Sequence, residues 1–345
     1  MYLNLSPADA EKVKGLLEIR QQNNDICWML CDYLNNHPRF ITKDLMTQVN
    51  RDFTLADETA YFALLTGILD IEPETNERDM QLANTYLRPA IKKLNPKTYR
   101  ENPYYRKIQI PEVKLGDWEL KYESYQAYEA FIYNDLILKP DFREIPRVGF
   151  FDEEFWFPAV KQNDREWMSI KPNEIETMQP ALNEIKGRVI TFGLGLGYFT
   201  YMASIKENIQ QITVVERDSE VIQLFEKYIL PQFQYKEKVK IISVDAFEFA
   251  EQQMPYRKYD YAFVDLWHDE SDGLDLYLKM KKMEPLNPCT HFLYWIEDSL
   301  ISGFRWRLID WVIRNARSYH EIEKWLSKSF LQRLAATKTR SAVEA

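Results

Sequence analysis

Between Arg188 and Ile296 the chain alternates two spacings of its apolar residues. Short apolar-rich runs at 188–192, 211–215, 239–243, 259–264 and 291–296 are separated by stretches of helical period at 198–207, 219–229, 246–252 and 274–284. Apolar-rich runs of this length read as buried strands, and apolar residues recurring every three to four positions read as amphipathic helices. Strictly alternating strands and helices imply parallel pairing and a doubly wound α/β sheet. Each strand ends in a residue able to meet a ligand: Gly193, Glu216, Asp245, Asp265 and Glu297. In an open parallel sheet those carboxyl ends are where ligands bind.

The pattern before Arg188 is different. Ser6-Pro7 is a helix start signal, and helical spacing follows to about Gln22 and again over 24–36, 40–50, 56–70 and 77–94. This predicts an all-helical N-terminal domain over 1–110. A mixed region over 111–186 follows. It holds a strand at 114–122, a helix over 125–137, an aromatic-rich β-hairpin segment over 148–170 and a helix over 174–185. The α/β domain takes 187–345 and ends in helices rich in cations, from Arg305 and Arg307 to Lys338 and Arg340.

Composition narrows the function classes. With 46% hydrophobic residues, nine Trp, 21 Tyr and 19 Phe in 345 residues, the chain is expected to fold throughout. A net charge of −9 repels phosphate backbones, so nucleic acid is not an expected partner. Cys27 and Cys31 share a helical face and Cys289 is distant, which offers neither a disulfide framework nor a zinc quartet. Reduced, buried thiols in a cytoplasmic protein are expected. The sequence has no basic-then-apolar leader and no 18-residue apolar run, so no membrane partner is expected either.

The chemistry concentrates in RVITFGLGLGYFTYMASIKENIQQITVVERD, residues 188–218. Here a strand runs into Gly193, Gly195 and Gly197, then a helix, then a strand closed by Glu216. Glycines let a backbone approach a nucleoside, the helix start offers free N–H groups, and an acid at the second strand tip suits a ribose diol. The candidate cofactor-binding residues are therefore Gly193, Gly195, Gly197, Glu216 with its neighbour Arg217, Asp245 and Ala246, and Asp265. Asp245 suits an adenine amine and the Ala246 N–H the ring, while Asp245 also suits the cap of the next helix. The glycine spacing is G-x-G-x-G rather than the G-x-G-x-x-G of a dinucleotide site, so NAD fits less well. The loop after the fourth strand, DLWHDESDG, supplies candidate catalytic residues Asp265, His268 and Asp269. Its acids belong to one loop with no distant ligand, so no metal is expected.

These residues carry a resemblance. The span 188–300 resembles the class I methyltransferase-like fold that uses S-adenosylmethionine, and within it the spermidine synthase (polyamine aminopropyltransferase) branch. The likeness rests on VITFGLGLGYFT, VVERDSEVIQLFEKYILP, VKIISVDAFEF, KYDYAFVDLWHD and FLYWIEDS. It implies a Rossmann-like sheet and S-adenosylmethionine or its decarboxylated form as cofactor. The branch's Asp-x-x-Asp-Pro signature reads here Asp265-Leu266-Trp267-His268-Asp269, without proline. Aligned without a gap, His268 takes the second acid's place; Asp269 takes it if the loop is one residue longer.

Three functions follow, in order. First is methyl transfer to a small or amine-bearing molecule, with Asp265 and His268 orienting and deprotonating the acceptor, Asp269 in reserve, and the aromatics from Phe150 to Trp167 with Trp267 walling the site or packing between domains. Second is aminopropyl transfer to a polyamine, which needs an acidic tunnel. Third is a non-catalytic sensor or partner-binding protein. A homodimer is among the assemblies the sequence allows.

Overall fold

A computed structural model describes residues 5–337. Lys338 and Arg340 of the cationic tail lie outside the described residues. The chain divides into two compact units. One comprises residues up to 98, 124–156 and 310–323; the other comprises 99–123, 157–309 and the residues from 324 on.

The second unit is built on a five-stranded parallel sheet of Gly187–Phe192, Ile209–Glu216, Val239–Ser243, Tyr261–Val264 and His291–Tyr294. In sequence order of these five, the spatial order is third, second, first, fourth, fifth. Val189 pairs with Ile212 on one side and Tyr261 on the other. Successive residues point to opposite faces, and Val189 and Ile190 are both fully buried, so the sheet is covered on both sides. This is the expected Rossmann-like α/β sheet. Because the first strand lies between the second and the fourth, the chain leaves it in opposite directions, and a crevice opens at the carboxyl ends there.

The helices differ in extent from the sequence expectation. The helix after the glycines ends at Ser204, and the second strand starts earlier, at Ile209. After the third strand only one regular turn forms, Ala246–Glu248, before the chain widens into a π-helical turn at Phe249–Gln253. The helix expected over 274–284 is Glu270–Lys281. It starts early because Asp269 and Asp272 close a capping box around its first turn.

An antiparallel sheet, most of whose residues belong to the same unit, has the order Val113–Leu115, Trp118–Tyr125, Phe155–Gln162, Arg165–Ser169. Two-residue turns join its outer pairs. Asn163 and Asp164 both have positive φ, 50° and 64°, the turn that matches strand twist. The helix Pro172–Glu184 then leads into the parallel sheet.

The first unit packs helices around Ile26, Leu30, Tyr33, Tyr61, Tyr86 and Phe150, with the Tyr61 and Phe150 rings stacked 4.0 Å apart. Its first helix runs unbroken over Pro7–Asn36, with Ser6 accepting from the Asp9 N–H at 3.1 Å. Two sequence expectations fail here. The helix expected over 77–94 ends at Ala90, and Ile91–Lys93 is a strand parallel to Val148–Phe150. The helix expected over 125–137 does not form: Phe131–Ile132 pairs with Val148–Gly149 instead. Its backbone is claimed by neighbours, the Tyr128 N–H by the Phe151 carbonyl at 2.7 Å and the Ala130 N–H by the Pro38 carbonyl at 2.8 Å. Tertiary pairing outweighs weak helical periodicity.

Cys27, Cys31 and Cys289 form no disulfide but are exposed, not buried as expected; 27 and 31 fall on the outer face of the long helix. Among the described residues no helix is long and apolar enough to cross a membrane.

Candidate functional site

At the carboxyl ends of the parallel strands lies a cavity of about 250 Å³. Its floor is the glycine turn. Gly193, Gly195 and Gly197 have φ of 100°, 49° and 70°, a region that a side chain enters only under strain. A Cβ on Gly193 would stand 2.0 Å from the Asp265 carbonyl oxygen, so this glycine lets the first and fourth strand ends meet backbone to backbone. The turn is braced from below: the buried Tyr104 hydroxyl donates to the Leu196 carbonyl at 2.6 Å. Gly193 and Gly195 line the cavity; Gly197 instead begins the helix Tyr198–Ser204 and packs against Phe225.

Glu216 ends the second strand and lines the cavity. Its Oε2 accepts from the Leu194 N–H at 3.2 Å, and Oε1 accepts from the N–H groups of Arg217 and Asp218 at 2.8 and 2.9 Å. One carboxylate thus ties the second strand tip to the glycine turn. Arg217 lines the cavity and is exposed. Asp245 and Ala246 line it after the third strand. Asp245 caps the following turn through Oδ1, accepting from Phe247 and Glu248 at 2.9 and 3.1 Å. The capping and the ligand-facing expectations for Asp245 are compatible, since Oδ2 takes no part in the cap.

Asp265 lines the cavity at the fourth strand end. Burial, and then the Glu216 charge, push its carboxyl up to about 7. Glu174, in the first turn of the helix Pro172–Glu184, is buried and also lines the cavity. Burial drives its carboxyl well above the usual range and Asp265 adds to this, while Lys171 opposes it. Two carboxyls within electrostatic reach, in a poorly solvated place, resist simultaneous ionisation. Nearby Glu166 goes the other way: burial disfavours its charge, but Lys171 Nζ at 2.6 Å and Ser169 Oγ at 2.9 Å hold it below the ordinary range.

His268 lines the cavity with both ring nitrogens engaged, Nδ1 3.2 Å from Asp269 Oδ2 and Nε2 3.2 Å from the Glu166 carbonyl. Asp269 is not among the residues lining the cavity; it caps the helix Glu270–Lys281, accepting from the Ser271 N–H at 2.8 Å. The structure therefore brings together Gly193, Gly195, Glu216, Arg217, Asp245, Ala246, Asp265 and His268, and sets Gly197 and Asp269 behind them.

The antiparallel sheet supplies a wall the sequence expectation only partly covered. Of the two places the sequence left open for these aromatics, Trp167 and Trp267 line the cavity, whereas Phe150, Phe151 and Phe155 are core residues. Trp118, Gln162, Met168 and Glu174 were missed. Trp118 meets Trp167 edge to face at 5.8 Å. KLGDWELKY alternates with strand period, but nothing local in it tells which sheet Trp118 joins or what it faces. Among the described residues no three His, Cys, Asp or Glu groups converge as a metal site.

Residues 199–280 match the family model of the spermine/spermidine synthase domain. The match covers well under half of the chain, starting just after the glycine turn and ending within the helix Glu270–Lys281. A search of curated proteins found no match to this sequence. Among solved structures, the chain is similar to a precorrin-8w decarboxylase from Methanobacterium thermoautotrophicum at 18% identity, covering 35% of this chain and 61% of that one with a TM-score of 0.27. It is also similar to spermidine synthase from Thermotoga maritima at 14% identity, covering 53% of this chain and 61% of that one with a TM-score of 0.32. The chain thus spans about 61% of the length of each.

Proposed function

We propose that the cavity transfers an aminopropyl group from decarboxylated S-adenosylmethionine to an amine of the polyamine class. The observation that carries this reading is the charge of the lining. Among the described residues, Glu174, Glu216, Asp218, Asp245 and Asp265 face Arg217 as the one Lys or Arg of the lining. With the ribose on Glu216 and the base near Asp245, on one flank of the first strand, the tail of the nucleoside runs toward the other flank, where Asp265 and Glu174 stand. A carboxylate-bearing tail would raise these two carboxyls further, whereas an amine-bearing tail or amine acceptor favours their ionised form and meets complementary charge. The match of 199–280 to the spermine/spermidine synthase domain supports the same choice and favours it over methyl transfer, which the sequence alone ranked first.

The residues fit the nucleoside by their chemistry: glycines at the turn, an acid for the ribose diol, a capping aspartate with an oxygen to spare. The sulfonium carries its own leaving group, so the protein has two tasks, alignment and proton removal. The acceptor nitrogen attacks the methylene carbon next to sulfur. The carbon–sulfur bond breaks with its electron pair left on sulfur, yielding a neutral thioether, and the nitrogen gives up a proton. Asp265, pushed up to about 7, is suited to take that proton near neutrality. Trp118, Trp167 and Trp267 line the cavity and supply the aromatic surface that an ammonium can meet.

The test is incubation of the full chain with decarboxylated S-adenosylmethionine and putrescine or spermidine, read by mass spectrometry. A product longer by one aminopropyl unit is expected. Methylated amine from intact S-adenosylmethionine, with no lengthened polyamine, would return the assignment to methyl transfer.

A further inference from the structure

We infer that His268 is a positioning residue that straps the antiparallel sheet to the loop after the fourth strand, and is not the proton-accepting base. A base needs a bare nitrogen facing its substrate. Both nitrogens of His268 face protein oxygens instead, the Asp269 carboxylate and the Glu166 carbonyl, each at 3.2 Å. Both partners are acceptors. A neutral ring donates to one of them and turns a lone pair on the other, whereas a doubly protonated ring donates to both.

The two ends of the strap are themselves fixed. Asp269 divides its oxygens, Oδ1 on Ser271 at the helix cap and Oδ2 on the ring. Asp272 accepts from the backbone N–H groups of His268 and Asp269 at 3.1 and 3.0 Å, which holds the loop. At the other end, Glu166 lies in the strand Arg165–Ser169, and its side chain is held by Lys171 and Ser169. The next two residues are Trp167 and Met168, both lining the cavity. Trp167 sits with its ring centroid 6.3 Å from the His268 ring, and Met168 Sδ accepts from the Leu196 N–H of the glycine turn at 3.4 Å. The strap therefore acts on the wall at the point where that wall meets the ligand.

The kinetic expectation rests on the aminopropyl reading of this cavity; the exchange expectation does not. His268→Ala and His268→Gln are compared with the unaltered chain by hydrogen exchange of the 165–169 amides and, with decarboxylated S-adenosylmethionine and spermidine, by kcat and KM. In the alanine variant, exchange over 165–169 should quicken by about tenfold or more. KM for the acceptor should rise by about tenfold while kcat stays within about threefold. Glutamine keeps one donor and should recover part of both. Unchanged exchange in the alanine variant overturns the strap. So does a loss in kcat of roughly a hundredfold at constant KM that added imidazole restores, since that marks a base. Exchange is read without substrate, so the strap is tested even in a chain that fails to lengthen polyamines.

Discussion

Met168 occupies the space a side chain on Gly195 would need: a Cβ there would stand 1.9 Å from the Met168 sulfur. The glycine is thus required twice, by its φ of 49° and by the hairpin wall that seats on it. Gly195→Ala should cost about 1–2 kcal/mol from the left-handed backbone alone, and it should also push Met168 off the turn. Gly193→Ala meets a backbone carbonyl rather than a flexible side chain and should reach about 3 kcal/mol, the upper part of the usual range. Urea unfolding of the two variants measures the order, with Gly193→Ala the worse.

Glu216 holds three backbone N–H groups while facing the cavity. Glu216→Gln keeps the shape but leaves one side-chain oxygen to do the work of two, and it loses the charge. Charge-assisted hydrogen bonds of this kind are worth about 1.5–3 kcal/mol. Affinity for decarboxylated S-adenosylmethionine should fall by about 10- to 100-fold. Calorimetry checks it, and an unchanged affinity would remove Glu216 from the nucleoside site.

What the sequence made legible is local and periodic. The strand 239–243 is observed at the expected residues, and Gly193, Glu216, Asp245 and Asp265 all stand at strand ends, because short runs rich in β-branched and aromatic residues alternate with helical spacing along this part of the chain. The residues the sequence hid are those set by long-range pairing. Glu174 reads as an ordinary first-turn acid, and only the fold buries it within electrostatic reach of Asp265. Tyr125–Ile137 has helical spacing, but Val148–Gly149 takes Phe131–Ile132 as a strand partner. In DLWHDESDG the sequence put Asp265 and His268 first with Asp269 in reserve, and the capping box sorts them further: Asp269 and Asp272 serve the helix, and His268 and Asp265 line the cavity.

That sorting gives a sharp contrast at Asp269. An aspartate cap is replaced well by asparagine and poorly by alanine, at about 1–2 kcal/mol. Asp269→Asn should keep the helix start and leave turnover within a few-fold. Asp269→Ala should lower the denaturation midpoint and weaken the His268 contact together. Loss of turnover in Asp269→Asn with unchanged stability would instead place Asp269 in the chemistry.

Asp265 predicts two pH profiles from one shift. Its carboxyl is raised from the ordinary range to about 7 by burial and then by Glu216. If it takes the acceptor's proton, kcat/KM should climb as pH rises toward about 7 and then level, because the charged form is the active one. Stability should move the opposite way. Between the unfolded value near 4 and the folded value near 7, the folded chain holds a proton that the unfolded chain has lost, so raising pH through this window favours unfolding. Asp265→Asn cannot ionise. It should reduce the downward slope of stability over that window, leaving the part that the raised Glu174 carboxyl contributes, and lower turnover by roughly 10²- to 10⁴-fold. Chemical unfolding at a series of pH values reads the first effect and steady-state kinetics the second. A flattened stability slope with full turnover would keep the buried, raised carboxyl but move the base elsewhere, with Glu174, the other raised carboxyl of the cavity lining, the next residue to replace.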